Sequence, residues 1–218
     1  MAPENRKEMS EEKREHILDV AEELFGHHGF EGTSVRLLAK GAGVNVAMIS
    51  YYFGSKEKLF QAMVERRAGV TLMALKFINA KEQDPWKKIE MAVEHYVDKI
   101  FSNIGFQRIM YRELSLDQRS WISEAISNIV FQNTQEMVSI IEEGYRKKAF
   151  RKVDAELTVV TIVGTIAKVT LSSLLCCRIL GEGATKDITD DSHRKRVKKH
   201  LHDLMKAHLK RPGITEKN

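Results

Sequence analysis

The segment Thr33–Phe53, TSVRLLAKGAGVNVAMISYYF, contains two short helical patterns separated by a glycine-rich turn. Its first two residues are typical helix N-caps, and the apolar positions after them recur at three- and four-residue spacing. Asn45 is a suitable N-cap for a second short helix over Val46–Phe53. The chain must reverse within Gly41–Val44, where glycine accepts backbone conformations that other residues avoid. The segment therefore predicts a helix-turn-helix motif.

A longer amphipathic helix precedes the motif. Between Glu11 and His28, apolar residues recur at helical spacing and acidic residues occupy the opposite face. Gly29 then provides a natural helix end. The first 55 or so residues thus predict a three-helix unit whose last two helices form the motif.

The rest of the chain is also helical in pattern. A fourth helix is predicted from Lys56 to about Asn79, and Asp84–Trp86 opens another with proline in its first turn. Further helices are predicted at about 105–117, 121–148, 154–180 and 190–210. Because no segment shows the two-residue alternation of a strand, we predict an all-α fold.

The chain is basic, with a net charge of +5 over 218 residues and a pI near 9.1. This balance favours an acidic partner such as nucleic acid. Val44–Ser55 nevertheless contains no Lys or Arg. The basic residues of the last predicted helix are typical of a solvated face, with contact to nucleic acid or a membrane surface as the alternative.

Cysteine usage and the N-terminus both predict a cytoplasmic protein. Cys176 and Cys177 are adjacent, and neighbouring cysteines rarely form a comfortable disulfide, so we expect buried, reduced thiols. The N-terminal sequence MAPENRKEMSEEKRE lacks the apolar core of a secretory signal. The apolar stretch Leu157–Leu180 is interrupted by Lys168 and Arg178, which favours a subunit interface or core over a membrane span.

A dense run of ordered residues, from about Lys13 to Met63, extends the motif on both sides. It comprises an apolar helix ending in Phe, a Gly-Phe pair, a Thr-Ser cap, Leu-Ala-x-x-Ala-Gly-Val and a short helix ending in Tyr-Phe-Gly-Ser-Lys. The matching positions are Phe25, Gly29, Phe30, Thr33, Ser34, Leu38, Ala39, Ala42, Gly43, Val44, Tyr52, Phe53, Ser55 and Lys56. This run resembles the TetR family of transcriptional regulators. It departs from the family pattern at Gly41, where a longer side chain is usual, and at Ser50, where Tyr is most frequent.

The resemblance implies a domain organisation and a function. It implies a disordered tail over 1–10, a helix-turn-helix DNA-binding domain over 11–55, a linking helix over 56–80, a regulatory and dimerisation domain over 81–211 and a flexible tail over 212–218. The implied protein is a homodimer that contacts its partner through helices 154–180 and 190–210. It would repress transcription from a palindromic, double-stranded operator and release it on binding an unknown small apolar or amphipathic ligand.

The second helix of the motif is expected to lie in the major groove, with its first residues at the base edges. These residues are Asn45, Val46, Ala47 and Met48. Small apolar groups recognise thymine methyls, and Arg36 of the preceding helix is a candidate for a bidentate contact to guanine. Two reading helices of a dimer would lie about 34–36 Å apart, one turn of DNA.

Phosphate contacts are expected to dominate affinity. The candidates are Thr33, Ser34, Ser50, Tyr51, Tyr52 and Lys56. For Thr33 the alternative is a purely structural cap. Ile49 and Phe53 are expected in the core, Val46 is equally compatible with core or groove, and Tyr51 is expected to be the more exposed tyrosine.

Aromatic and thioether side chains of the second half are candidates for an apolar ligand pocket. These candidates are Met91, Tyr96, Phe101, Phe106, Met110, Tyr111, Trp121 and Phe131. For each residue taken alone, an ordinary core position is the favoured alternative.

Two other functions are alternatives to a ligand-responsive repressor. One is a DNA-binding protein of the same fold without an effector, which a fully packed second domain would favour. The remote alternative is an enzyme, although the sequence has no phosphate-binding loop, dinucleotide fingerprint or nucleophile elbow. The histidines His193, His200, His202 and His208 lack a compact ligand spacing. We predict no cofactor, no metal site and no membrane partner.

Overall fold

The computed structural model describes residues 3–115, 120–181 and 190–212, and within these residues it contains α-helices and no strand. The all-α prediction is confirmed. The helices are α1 (Pro3–Gly32), α2 (Val35–Gly41), α3 (Val46–Phe53), α4 (Lys56–Lys81), α5 (Pro85–Phe101), α6 (Ile104–Leu114), α7 (Ser120–Arg146), α8 (Ala155–Leu171), α9 (Ser173–Ile179) and α10 (Asp191–Leu209).

Side-chain caps set the start of several helices. The Ser34 hydroxyl accepts a hydrogen bond from the Leu37 amide at 3.1 Å, and Asn45 Oδ1 accepts one from the Met48 amide at 2.8 Å. Asp84 caps α5 in the same way, directly before the proline. Each cap satisfies an amide that has no partner within its helix.

Helix α1 is longer than predicted. It begins at Pro3, so the expected disordered tail over residues 1–10 is wrong for residues 3–10. The predicted stop at Gly29 appears as a break within α1, because this residue has φ 69° and ψ 175° and helical backbone resumes after it. Only glycine adopts this conformation readily.

The single helix predicted over 154–180 is two helices, α8 and α9, separated at Ser172 with φ −110° and ψ 48°. Polar side chains compensate for the interruption. The Thr170 hydroxyl donates to the Ile166 carbonyl at 3.0 Å, and the Cys176 thiol donates to the Lys168 carbonyl at 3.3 Å. Both cysteines are buried, and neither is in a disulfide. No helix in the described residues is long and apolar enough to cross a membrane.

The chain divides into two compact units. Unit 1 comprises Met1–Ala68 and Arg108–Ile129, and unit 2 comprises Gly69–Gln107 and Val130–Asn218. The sequence assigned 108–129 to the regulatory domain, whereas this segment completes the core of unit 1. Its Trp121 ring packs edge-on against Phe30 at 5.8 Å between ring centroids. Residues 213–218 of the predicted C-terminal tail lie outside the described residues.

Ion pairs join α1 to the first half of α4 in unit 1. The Arg67 guanidinium donates two hydrogen bonds to the buried Glu22 carboxylate, at 2.7 and 2.8 Å. Arg66 contacts the carboxylates of Glu15 and Asp19, each at 2.9 Å. Because the Glu22 pair is bidentate and mostly buried, it fixes the geometry of these helices more strongly than a surface pair does.

The core of unit 2 is formed by side chains from α5, α7, α8 and α10. Phe150, which follows α7, packs edge-on against Trp86 of α5, with 4.7 Å between ring centroids. Lys88 is buried among these helices, and its ammonium is held by Glu143 at 2.6 Å and by the Asn79 side-chain oxygen at 3.1 Å. A buried charge requires such partners.

Candidate nucleic-acid interface

Helices α2 and α3 pack together as a helix-turn-helix in unit 1. The turn is closed by a hydrogen bond from the Val44 amide to the Ala39 carbonyl at 2.9 Å. Gly43 has φ 63°, the left-handed conformation for which glycine is suited. Leu38 and Ala39 of α2 and Ile49 of α3 are buried between the helices.

The opposite face of α3 is exposed. Val46 is 43% and Tyr51 79% exposed, and Ala47 and Ser50 are also on the surface. Ile49 is buried, as is Phe53. The structure therefore separates a core face of α3 from an uncharged outer face, and Val46, which the sequence left undecided, lies on the outer face.

The sides of this outer face carry the polar and basic candidates. Asn45 is exposed at the start of α3, but its side-chain oxygen is used for capping. Met48 is partly buried beside it. Arg36 is exposed on α2 and supplies the positive charge that α3 lacks.

A cleft of about 370 Å³ lies beside the motif, where α2, α3 and the start of α4 meet. Its polar lining consists of the hydroxyls of Ser34, Ser50 and Ser55 together with Lys56 and Glu57. The Ser34 oxygen accepts a hydrogen bond from the Leu37 amide, which leaves its O–H free to donate outward. The Ser55 oxygen accepts one from the Lys58 amide, and its O–H donates to Glu57. Hydroxyl donors and an ammonium group in one cleft suit an anion such as a phosphate. The hydrogen bond from Ser55 lowers the pKa of Glu57, which keeps that carboxylate charged at the rim.

Lys56 and Tyr52 are held in place by unit 1. The Lys56 ammonium donates to the Phe30 carbonyl at 3.0 Å and lies 4.1 Å from the centre of the Phe30 ring. The Tyr52 oxygen accepts a hydrogen bond from the Ser10 hydroxyl at 3.4 Å. Tyr51 packs edge-on against Tyr52 and is the more exposed of the two, as predicted.

Thr33 does not lie on this surface. It is fully buried, and its hydroxyl donates to the carbonyls of Gly29 at 2.8 Å and Leu24 at 3.2 Å. The break at Gly29 leaves its carbonyl without a helical partner, and Thr33 supplies one. The prediction of a phosphate contact is therefore wrong for Thr33, and the structural alternative is correct.

The eight predicted pocket residues differ in burial and in the unit to which they belong. Tyr96, Phe101, Phe106 and Met110 are buried and Tyr111 partly buried, while Met91, Trp121 and Phe131 are exposed. Burial raises the pKa of Tyr111. Met110, Tyr111 and Trp121 belong to unit 1, and the other five belong to unit 2. The position of each residue on its own helix decides whether its side chain lies in a core or on the surface.

A cavity of about 400 Å³ occurs instead within unit 2, between α5 and α10, and none of the eight lines it. Its apolar wall includes Trp86, Ile89, Val93, Ala149 and Met205. Its polar wall is formed by Glu90, His202, Lys206, Lys210 and Arg211. Apart from the basic end of the last helix, no sequence pattern indicates this cavity, because its walls are distant in the chain.

Helices α8 and α9 expose apolar side chains. Leu157 and Val160 of α8 are 63% and 62% exposed, and Ile179 of α9 is also largely exposed. A Cβ added at Gly164, on the same exposed face as Val160, would meet no atom within 4 Å. The segment predicted to form the dimer contact therefore has an open apolar face.

Comparison with known proteins finds relatives of the helix-turn-helix segment of unit 1. Residues 17–63 match the family model described as bacterial regulatory proteins, tetR family. Over 139 residues, covering 63% of this chain and 67% of the other, the chain is 32% identical to the "Probable HTH-type transcriptional regulator YttP" of Bacillus subtilis. It is 42% identical to the HTH-type transcriptional repressor AcnR of Corynebacterium efficiens over 55 residues, which cover 25% of this chain and 29% of AcnR.

The fold extends the similarity beyond the motif. The crystal structure of the transcriptional regulator FadR from Bacillus subtilis, in complex with stearoyl-CoA, superposes with a TM-score of 0.70. The alignment covers 85% of this chain and 96% of FadR, at 18% identity. The motif, the all-α fold and these relatives agree, and the chain belongs to the TetR family as a DNA-binding transcriptional regulator.

Proposed function

We propose that the chain is a homodimeric repressor that binds a palindromic operator and releases it when a small molecule binds. The observation that carries this proposal is the outer face of α3, where Val46, Ala47, Ser50 and Tyr51 are exposed on a helix of a buried helix-turn-helix core. A repressor is favoured by the relative AcnR, whose name describes a transcriptional repressor. A regulator of chromosomal genes would work in the cytoplasm.

Base recognition would combine the close fit of uncharged side chains in the major groove with one contact from a charged side chain. The side chains of Val46, Ala47 and Met48 are small or flexible and uncharged, so they allow close approach to the groove and contact with thymine methyls. Arg36 would provide the bidentate hydrogen bonds to a guanine.

Phosphates would be bound beside the reading helix. The cleft lined by Ser34, Ser50 and Lys56 offers hydroxyl donors and a positive charge. Tyr51 adds an exposed phenol, and Tyr52 a partly buried one. Since these contacts are independent of sequence, they would set the affinity and its salt dependence.

The dimer would form through α8 and α10. The exposed apolar side chains of Leu157 and Val160 are suited to a second copy of the same face, because isologous contacts place the same patch on both protomers.

The effector would be an amphipathic anion. The cavity between α5 and α10 has an apolar wall and three basic side chains, Lys206, Lys210 and Arg211. Its size of about 400 Å³ lies in the range of small-molecule sites. The crystal structure of FadR, which shares the fold, is of its complex with stearoyl-CoA, an amphipathic anion. Binding would favour the protein state with lower DNA affinity, by no more than the ligand's preference for that state.

Selection of genomic fragments with the purified protein tests DNA recognition directly. One palindromic sequence should outcompete random DNA at physiological salt. In fluorescence anisotropy titrations, Arg36→Ala should lose about 1–3 kcal/mol on that operator and relax specificity at one or two base pairs. Tyr51→Phe and Lys56→Ala should weaken operator and random DNA alike.

Two exposed residues of unit 2 provide matched controls. Arg146→Ala and Tyr145→Phe make the same chemical changes away from the interface and should leave binding unchanged. Equal loss in Arg36→Ala and Arg146→Ala would rule out the proposed base contact. Failure of every sequence to outcompete random DNA would rule out the repressor. A protein that binds its operator but ignores every amphipathic anion would favour the regulator without an effector.

A further inference from the structure

Three metal-binding side chains meet where α10 packs against α5 in unit 2. Glu90 and Glu94 are four residues apart on α5 and therefore share a face, and His202 of α10 lies against them. One ligand atom from each residue, a carboxylate oxygen or an imidazole nitrogen, lies within 4.8 Å of the other two. Over the residues that the structure describes, this is the only such group of three.

The charges along this helix pair are unbalanced at one end. One turn further along α5, Asp98 is paired with Lys198 at 2.7 Å and with Arg194 at 3.7 Å. In the described parts of the chain, Glu94 forms no ion pair and Glu90 approaches only His202, with 3.7 Å between Oε1 and Nδ1. Two carboxylates thus meet a single imidazole, which gives this group of three a local negative charge suited to a cation, while Lys206, Lys210 and Arg211 line the cavity beside it.

Within the described residues, neither ring nitrogen of His202 forms a hydrogen bond. Its side chain is only 17% exposed, and its buried Nε2 has no hydrogen-bond partner among the described residues. The other ring nitrogen, Nδ1, is 3.7 Å from Glu90, which is too far for a hydrogen bond. A buried polar group left unpaired is costly, so Nε2 calls for a partner that the described residues do not supply.

We propose that Glu90, Glu94 and His202 bind a divalent first-row transition-metal ion, represented by Zn²⁺. Carboxylate oxygen and imidazole nitrogen are ligands of these ions, whereas Mg²⁺ and Ca²⁺ prefer oxygen alone. Metal–ligand bonds of about 2.1 Å place ligand atoms about 3–3.5 Å apart. Small side-chain rotations achieve this from the observed separations.

Three protein ligands leave at least one coordination position open, as in zinc sites that bind water or a substrate. Glu90 and His202 also line the cavity of unit 2. The open position therefore belongs to water or to the anionic group of a small molecule within that cavity. This site is separate from the DNA interface, and metal binding does not depend on the repressor proposal.

Metal titration of the full-length, chelator-treated protein tests the site. Calorimetry with Zn²⁺ and visible absorption with Co²⁺ should each show one ion per chain. Glu94→Gln and His202→Gln should weaken binding at least tenfold. The exposed residues Glu156 and His200 supply controls, and Glu156→Gln and His200→Gln should retain wild-type affinity.

The outcomes are distinguishable from misfolding and from surface binding. Because Glu94 has no ion pair in the described residues, Glu94→Gln should keep the wild-type circular dichroism and metal-free melting curve. If His202→Gln fails to fold, Glu94→Gln and Glu90→Gln decide the question. Absence of stoichiometric binding, or wild-type affinity in the two glutamate variants, would overturn the proposal. Equal losses in the control variants would also overturn it. Operator binding by the same proteins is measured separately.

Discussion

Gly41 is a residue at which the sequence departs from its family and the structure explains why. A Cβ built there would lie 2.8 Å from Val20 Cγ1 and 3.1 Å from Leu24 Cδ1. The absence of a side chain therefore lets α2 approach α1 closely. Gly144 is a stronger case of the same effect, since its Cβ would lie only 2.0 Å from a ring carbon of Phe150.

Gly144→Ala should destabilise the protein although the position is helical. Alanine is favoured over glycine in a helix by about 1 kcal/mol. The added methyl group must displace the fully buried Phe150 ring, and overpacking of this kind costs about 1–3 kcal/mol or more. We expect a net loss of about 2 kcal/mol in urea unfolding followed by circular dichroism.

Gly69→Ala is the matched control. Gly69 is also inside a helix, α4, but a Cβ there meets no atom within 4 Å. This variant should gain up to about 1 kcal/mol from helix propensity. Equal changes in the free energy of unfolding of the two variants would show that contact with Phe150 does not determine the effect of Gly144→Ala.

At the scale of elements, periodicity and caps predicted α2 and α3 to within a residue, including the buried Ile49 and the turn at Gly43. The break between α8 and α9 was missed, because the apolar pattern continues through Ser172 while side-chain donors satisfy the backbone there. The exposed face of α8 has a measurable consequence for assembly.

Replacing Leu157 and Val160 together with Glu should convert the proposed dimer to a monomer. Two carboxylates per protomer would have to be buried against their symmetry mates, which is strongly unfavourable. In sedimentation velocity, the wild type should have twice the 25.0 kDa mass of one chain, and the double variant should have the monomer mass.

The control makes the same change on another exposed apolar pair. Val70 and Met73 of α4 are also three residues apart and exposed. Their double Glu variant should remain dimeric. A dimeric Leu157/Val160 variant, or a monomeric Val70/Met73 variant, would contradict the assignment of α8 to the interface.

At the scale of the whole molecule, the basic residues of α10 and those near the helix-turn-helix serve different purposes. Much of the positive charge of α10 is neutralised locally, with Lys195 paired to Asp191, Lys199 to Asp203 and Lys198 to Asp98. These pairs favour the solvated face expected from the sequence over a nucleic-acid surface. The basic groups near the helix-turn-helix are fewer, but they lie beside an uncharged reading helix.

Stability should decline on mild acidification because of His95 in α5. Burial lowers the pKa of His95 most, and the nearby positive charge of Lys99 adds to the effect. The unfolded imidazole gains its proton near its ordinary pKa of 6.5, before the folded one does. The contribution of His95 is therefore complete above pH 6.5 and is lost as the pH falls below it.

Urea unfolding between pH 7.5 and 5.0 measures this effect. His95→Gln should show a smaller fall in the free energy of unfolding over that range than the wild type. An identical fall in both proteins would show that other groups control the acid sensitivity.

The sequence by itself determined the features that depend on neighbouring residues. Helix caps, the glycine turn, the core face of α3 and the family pattern all arise from residues within a few turns of one another. Arg36, Ser34 and Tyr51 could be identified as surface candidates for the same reason, because local periodicity separates exposed from buried positions.

Only the tertiary structure decided the features that join distant segments. Burial of Thr33 depends on the break in α1, and the core of unit 1 includes Ile122 and Ile126 from a segment that the sequence assigned elsewhere. The cavity and the Glu90, Glu94 and His202 group exist because α10 packs against α5. No periodicity encodes that contact, since it is the packing of two complete helix faces that chooses which side chains meet.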